Sequence, residues 1–187
     1  MHKFNPAHIG KLLREDRLGA ITPLELLRSL GLKDGDTLAD VGCGPGFFTI
    51  PAAALVGPNG VVYAIDTQRE MLDALRERPA PANVVPVQST EHSIPLESSI
   101  ADAALVAFVL HEATDKRLFM AELKRIVRIG GIVAVLDWKK QEEAHGPPEQ
   151  DRLTEAEVEA LFREAGFTGV QTASLNESHY RVSAVKG

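Results

Sequence analysis

The stretch Leu38-Ala39-Asp40-Val41-Gly42-Cys43-Gly44-Pro45-Gly46-Phe47-Phe48-Thr49 decides how this 187-residue chain is read. An apolar run ends in three glycines, and a second apolar segment follows. Glycine takes positive φ without a Cβ penalty and lets the main chain approach a neighbour closely. A buried strand that turns sharply into a helix also offers unpaired backbone N–H groups at the turn. Outward from this loop, residues 37–41 read as the strand, and 47–56 as the helix, with Pro51 near its start. Gly57-Pro58-Asn59-Gly60 is a turn signal, and 61–65 is a β-branched buried strand.

The same alternation continues to the end of the chain. Thr67-Gln68-Arg69-Glu70 has the pattern of a capping box, with Met71, Leu72 and Leu75 on the stripe behind it. Residues 83–88 and 102–110 read as the third and fourth strands. Asp115 caps a helix bearing Leu118, Phe119, Leu123, Ile126 and Val127, and Gly130-Gly131 leads into a fifth strand over 132–136. A polar loop over 138–153, carrying Gly146-Pro147-Pro148, precedes a capping box at Thr154-Glu155-Ala156-Glu157. Val158, Leu161, Phe162 and Ala165 then fall on one helical face. Residues 168–175 and 180–185 are separated only by Asn176 to His179 and should pair as an antiparallel hairpin. Strand–helix alternation implies an α/β fold with a mostly parallel sheet covered by helices. Upstream, Thr22-Pro23-Leu24-Glu25 starts a helix with Leu24, Leu27 and Leu30 on one face, ended by Gly31. The chain therefore divides into an N-terminal helical arm over 1–36 and a domain over 37–187.

Composition bounds the function. Twenty Lys and Arg against 26 Asp and Glu give a net charge of −6, which disfavours nucleic acid as a partner. The single cysteine, Cys43, excludes an internal disulfide framework and a multi-cysteine metal site. His2, His8 and His145 show no ligand spacing, so no metal is expected. No run is long enough to span a membrane, and the first ten residues lack the apolar core of a secretory signal. A cytoplasmic protein is expected, monomeric or homodimeric.

Three features say what the glycine loop holds. Asp66 closes the second strand 20 residues after Gly46, where a carboxylate can accept both hydroxyls of a ribose. The glycines are spaced G-x-G-x-G, and Phe47 stands where a dinucleotide-binding loop would carry its third glycine. Asp40, two residues before Gly42, would repel a pyrophosphate but suits a ligand carrying an ammonium and a sulfonium. An NAD-dependent oxidoreductase is thus the weaker alternative, and a non-catalytic cofactor-binding subunit is another. His111 follows the fourth strand on the edge where parallel-sheet sites lie, and its pKa class suits a general base. Asp137, Trp138 and Lys139 end the fifth strand on that edge, with Trp138 and Lys139 as candidate walls of a substrate pocket.

On these residues, together with Ala64-Ile65-Asp66, Ile94-Pro95-Leu96 and Phe108-Val109-Leu110-His111-Glu112, the chain resembles the class I S-adenosylmethionine-dependent methyltransferases. It is most similar to the small single-domain members of the ubiquinone-biosynthesis-like type, over roughly residues 20–187. The resemblance implies a Rossmann-like three-layer sandwich, with a seven-stranded sheet in the order 3-2-1-4-5-7-6 and strand 7 antiparallel. It implies S-adenosylmethionine as cofactor, S-adenosylhomocysteine as product, and a small-molecule acceptor attacked in line. Asp40 and the backbone of Gly42, Cys43, Gly44 and Gly46 would face the methionine part of the cofactor. Asp66 would hold the ribose and Thr67 would flank the adenine. Thr90 or Glu91 would accept from the adenine amine, and Phe108 to His111 would run past the sulfur. Leu110-His111-Glu112 replaces the Asn/Asp-Pro-Pro-Tyr motif of adenine and glutamine amino methylation, and no cysteine is placed for cytosine or arsenite chemistry.

Overall fold

A computed structural model describes residues 9–13 and 22–187. Three-residue or longer elements run in the order α1 (Ile9–Leu12), α2 (Pro23–Ser29), β1 (Thr37–Val41), α3 (Thr49–Val56), β2 (Val61–Asp66), α4 (Arg69–Arg76), β3 (Val84–Gln88) and β4 (Ala101–Ala107). A 3-10 turn at Leu110–Glu112 leads to α5 (Lys116–Ile126), β5 (Val127–Trp138), a second 3-10 turn at Glu149–Asp151, α6 (Glu155–Glu164), β6 (Phe167–Ser174) and β7 (His179–Lys186). The sheet has seven strands in the order β3-β2-β1-β4-β5-β7-β6. β7 alone runs antiparallel, to both β5 and β6.

The period-2 alternation of the strands sends their side chains into two apolar layers. From β1, Leu38 joins the layer of α2 and α3, with Leu27, Phe48, Ala52 and Val56. Ala39 and Val41 join the opposite layer, with Phe119 and Leu123 of α5 and Phe162 of α6. Leu72 and Leu75 of α4 pack on Ala64 of β2 and on Cys43. β1 runs parallel to β2 and β4, and the order of connection reverses at the β1–β4 pair, so a cleft opens at the C-terminal ends of these strands.

Several local expectations are corrected. The helix expected over 47–56 begins at Thr49, and Phe47 and Phe48 sit in a turn with their rings 5.1 Å apart. Pro51 is tolerated because it lies in the first helical turn, where its missing N–H would have no intrahelical partner. The box expected at Thr67 does not form. Gln68 is the N-cap, which puts Glu70 at the second helical position, one short of the reciprocal bond. The buried stripe of α2 is Leu26, Leu27 and Leu30; Leu24 is only half-buried. β4 ends at Ala107, three residues early, and β5 starts directly at Val127, so Gly130 and Gly131 lie inside the strand. A Cβ on Gly131 would sit 2.7 Å from the Asp102 carbonyl, so a glycine is needed where the strand pair shifts register. The boxes at Thr22 and Thr154 form as expected.

The opposite edge of the sheet is tied by one side chain. Asp102 Oδ2 accepts the Thr37 N–H at 2.7 Å at the start of β1, and its Oδ1 accepts from Arg128 Nε at 2.5 Å in β5. Among the described residues no helix is long and apolar enough to cross a membrane.

Candidate functional site

β1 delivers Asp40 and the glycine loop to the cleft. Gly42 has φ +74° and a Cβ there would fall 2.2 Å from Val109 Cγ2, so only glycine fits. The N–H groups of Gly42 and Cys43 donate to the Ile65 carbonyl at 2.8 and 3.0 Å, which sews the loop to the end of β2. Gly46 has φ +89° and packs against Leu75 of α4. Asp66 spans the two halves of the site. Its Oδ2 accepts the Gly44 N–H and its Oδ1 accepts the Gln68 N–H, both at 2.9 Å.

Asp40 is 2% exposed, and Thr49 Oγ1 donates to its Oδ2 at 2.6 Å. Burial, with the charge of Asp66 added, pushes its pKa up to about 7 against the opposing Thr49 bond. Cys43 is buried in the same loop. Burial and then the carboxyls of Asp40 and Asp66 push its thiol up, which removes thiolate chemistry near neutral pH. Leu12 of α1 reaches the loop, with its Cδ1 3.7 Å from where a Cβ on Gly44 would lie.

The turn after β3 stands beside Asp66, because the Ser89 N–H donates to the Asp66 carbonyl at 3.0 Å. Within it the Thr90 N–H donates to the Ser93 carbonyl, and Glu91 accepts from the N–H and hydroxyl of Thr114. The Thr67 carbonyl accepts from Gln88 Nε2 at 3.4 Å. Thr67, Thr90 and Glu91 are therefore brought to one side of Asp66.

The segment after β4 closes the other side. Phe108 has φ +62°, rare for a bulky residue, and its N–H donates to the Leu136 carbonyl of β5 at 2.8 Å. Its ring packs on His179 at 5.0 Å and near Trp138 at 5.9 Å. His111 then sits under β5, with Nδ1 2.8 Å from Asp137 Oδ1 and its backbone N–H donating to Asp137 Oδ2 at 3.3 Å. The His111 side chain is 7% exposed and that of Asp137 1%. Burial disfavours the charged ring, yet the hydrogen bond and charge of Asp137, and then the charge of Glu112, outweigh it and hold the pKa above the ordinary value.

The loop after β5 is built on Arg152, a residue that sequence reasoning did not single out. Its guanidinium is buried and donates to the carbonyls of Lys139, Gln141, His145 and Pro147 and to Glu143. It also lies 5.1 Å from the Trp138 ring, whose other neighbours include Gly146. No spacing rule marks an arginine for that role. Lys139 turns away from the cleft to Ser174 Oγ and the Asn176 carbonyl, at 2.9 and 2.7 Å. His2 and His8 lie outside the described residues. Among the described residues no group of three His, Cys, Asp or Glu is placed to hold a metal ion.

The donor set fits an S-adenosyl cofactor. Gly42, Gly44 and Gly46 turn the loop at positive φ, Asp66 offers a carboxylate to a ribose, and Asp40 puts a second carboxyl behind the loop. The comparisons agree. Residues 39–135 match the family described as the methyltransferase domain. A crystal structure of a SAM-dependent methyltransferase from Aquifex aeolicus superposes with a TM-score of 0.92 at 35% identity, covering 99% of this chain and 100% of that one. A demethylmenaquinone methyltransferase of Staphylococcus aureus is 30% identical over 131 residues, 65% of this chain and 54% of the relative. An uncharacterised 37.1 kDa transposon protein of Streptomyces fradiae is 32% identical over 130 residues, 69% of this chain and 35% of the relative. The chain thus spans about half or less of these two relatives. With sheet order, loop chemistry and family match in agreement, the chain belongs to the class I S-adenosylmethionine-dependent methyltransferases.

Proposed function

We propose that the chain transfers a methyl group from S-adenosylmethionine to a small-molecule acceptor at the C-terminal edge of β1, β4 and β5. The observation that carries this reading is Asp66, whose carboxylate joins Gly44 of the loop to the start of α4. Asp66 holds the ribose hydroxyls, with Thr67 and either Thr90 or Glu91 at the adenine. Asp40 and the backbone of Gly42, Cys43, Gly44 and Gly46 face the amino-acid part, and Phe108 lines the approach to the sulfur. The cofactor supplies an electrophilic methyl on a sulfonium, so the chain's main work is alignment and exclusion of water.

Residues 1–36 act as an arm over the site, a reading supported by Leu12 lying against the Gly44 loop. Trp138 stands at the acceptor side and Lys139 supports its loop through the β6–β7 turn. The net charge of −6 favours a small molecule over nucleic acid. The lack of a spanning helix among the described residues is consistent with a cytoplasmic setting, as a monomer or homodimer.

Calorimetric titration tests the reading. S-adenosylhomocysteine should bind and NAD should not, and Asp66→Ala should weaken S-adenosylhomocysteine at least tenfold, as loss of hydrogen bonds to a charged group worth about 1.5–3 kcal/mol requires. Binding of NAD alone would contradict it.

A further inference from the structure

A cavity of about 360 Å³ opens beside His111, under the loop that follows β5. It is lined by His111, Glu112, Lys116, Lys140, Arg152 and Glu157, among others. Val109, two residues before His111, packs on the glycine loop, since its side chain fills the space that a Cβ on Gly42 would need. The volume sits near the lower end for small-molecule sites and suits a single-ring or comparably small polar compound.

Resting on the methyltransferase reading, we propose that this cavity is the acceptor site and that His111, positioned by Asp137, takes the proton of an acidic hydroxyl, phenolic or enolic, as that oxygen is methylated. The geometry sets the roles. Nδ1 is committed to Asp137 at 2.8 Å, so Nε2 is the nitrogen that can accept a proton, and it lies 4.0 Å from Glu112 Oε1. Asp137 is held on both sides, accepting the N–H of His111 on one oxygen and that of Trp138 on the other at 2.9 Å. A buried carboxylate so fixed selects the tautomer and stabilises the imidazolium that forms.

The balance is simple. The acceptor oxygen forms its bond to the methyl carbon, its proton passes to Nε2, and the electron pair of the broken carbon–sulfur bond stays on sulfur. A phenolic hydroxyl, with a pKa of about 10, enters neutral and is within reach of an imidazole. The lining carries both signs, Glu112 and Glu157 beside Lys116, Lys140 and Arg152, so the preference for a hydroxyl rests on the His111 base and not on the net charge of the cavity. The groups that face His111 are Asp137 of β5, Glu112 of its own turn and Lys116 of α5, and the first two raise its proton affinity while the third lowers it.

Two measurements on the full chain test the proposal. In histidine-labelled protein with S-adenosylhomocysteine bound, the His111 ring should titrate above 6.5, and Asp137→Asn should lower that midpoint. Release of S-adenosylhomocysteine from S-adenosylmethionine should then be followed with small phenols and enols, and with tertiary amines and thioethers, which bring no proton. Turnover of hydroxylated probes is expected, with kcat reduced on the order of 10²-fold in His111→Ala and an acid shift of the rate profile in Asp137→Asn that is absent in Asp137→Glu. Turnover confined to tertiary amines or thioethers, no turnover of any hydroxylated probe, or full activity of His111→Ala would each overturn it. The variants' unchanged binding of S-adenosylhomocysteine separates that failure from failure of the methyltransferase reading, in which the wild-type chain would not bind it at all.

Discussion

At the residue scale, the site depends on a few atoms that admit no alternative. Gly42 is one. Alanine there would place a methyl within 2.2 Å of Val109 and hold an L-residue at φ +74°, so Val109 and the segment beyond it must move. We expect Gly42→Ala to cost about 1–3 kcal/mol of stability, read as a lower midpoint in denaturant. Weakened S-adenosylhomocysteine binding should accompany it, because the displaced backbone belongs to the proposed cofactor loop. A variant that kept both properties would show that the loop tolerates a Cβ. Gly42 and Asp66 were legible from spacing alone, because chain-local chemistry fixed them. The partnership of His111 with Asp137 was not, because the two lie 26 positions apart and meet only through the β4–β5 register.

At the scale of elements, strand and helix identities followed from periodicity, and their ends did not. Phe108 at positive φ stops β4, and no propensity rule foresees that turn for an aromatic residue. The Thr67 box failed because α4 starts one residue later than its pattern implies. The loop after β5 reads as polar, yet the buried Arg152 is its core. Arg152→Met would leave Glu143 and four carbonyls without their donor, at a cost of about 3–5 kcal/mol. Because Trp138 is the only tryptophan in the chain, its fluorescence reports that loop directly. A red-shifted emission and faster cleavage within 139–152 are expected, and an unchanged spectrum would argue that the loop is held by other means. Thr154→Ala, removing the cap of α6, should cost about 1 kcal/mol and leave the emission unaltered.

At the scale of the whole molecule, two buried groups give stability the same pH trend. The folded pKa of Asp40, about 7, lies above its ordinary 3.8, so the folded chain holds a proton that the unfolded chain releases. That contribution is complete below 3.8 and is lost as pH rises through 7. His111 is also raised, so its contribution is complete below 6.5 and is lost as pH rises through its folded value. Ligand-free protein should therefore lose thermal stability on passing upward through neutrality, and Asp40→Asn should flatten that decline. Parallel melting curves of wild type and variant from pH 4 to 8 would contradict the assignment.

Asp102 carries a different kind of consequence. It fastens β1 and β5 to β4 at the end of the sheet farthest from the cleft, through Thr37 and Arg128. Anchorage and chemistry thus occupy opposite ends of the same strands. The loops after β4 and β5 can be lengthened, exchanged or recombined without touching that anchor. The architecture is therefore modular in the engineer's sense, and, with the acceptor site proposed above, swapping the 139–152 segment is the route to a new acceptor preference.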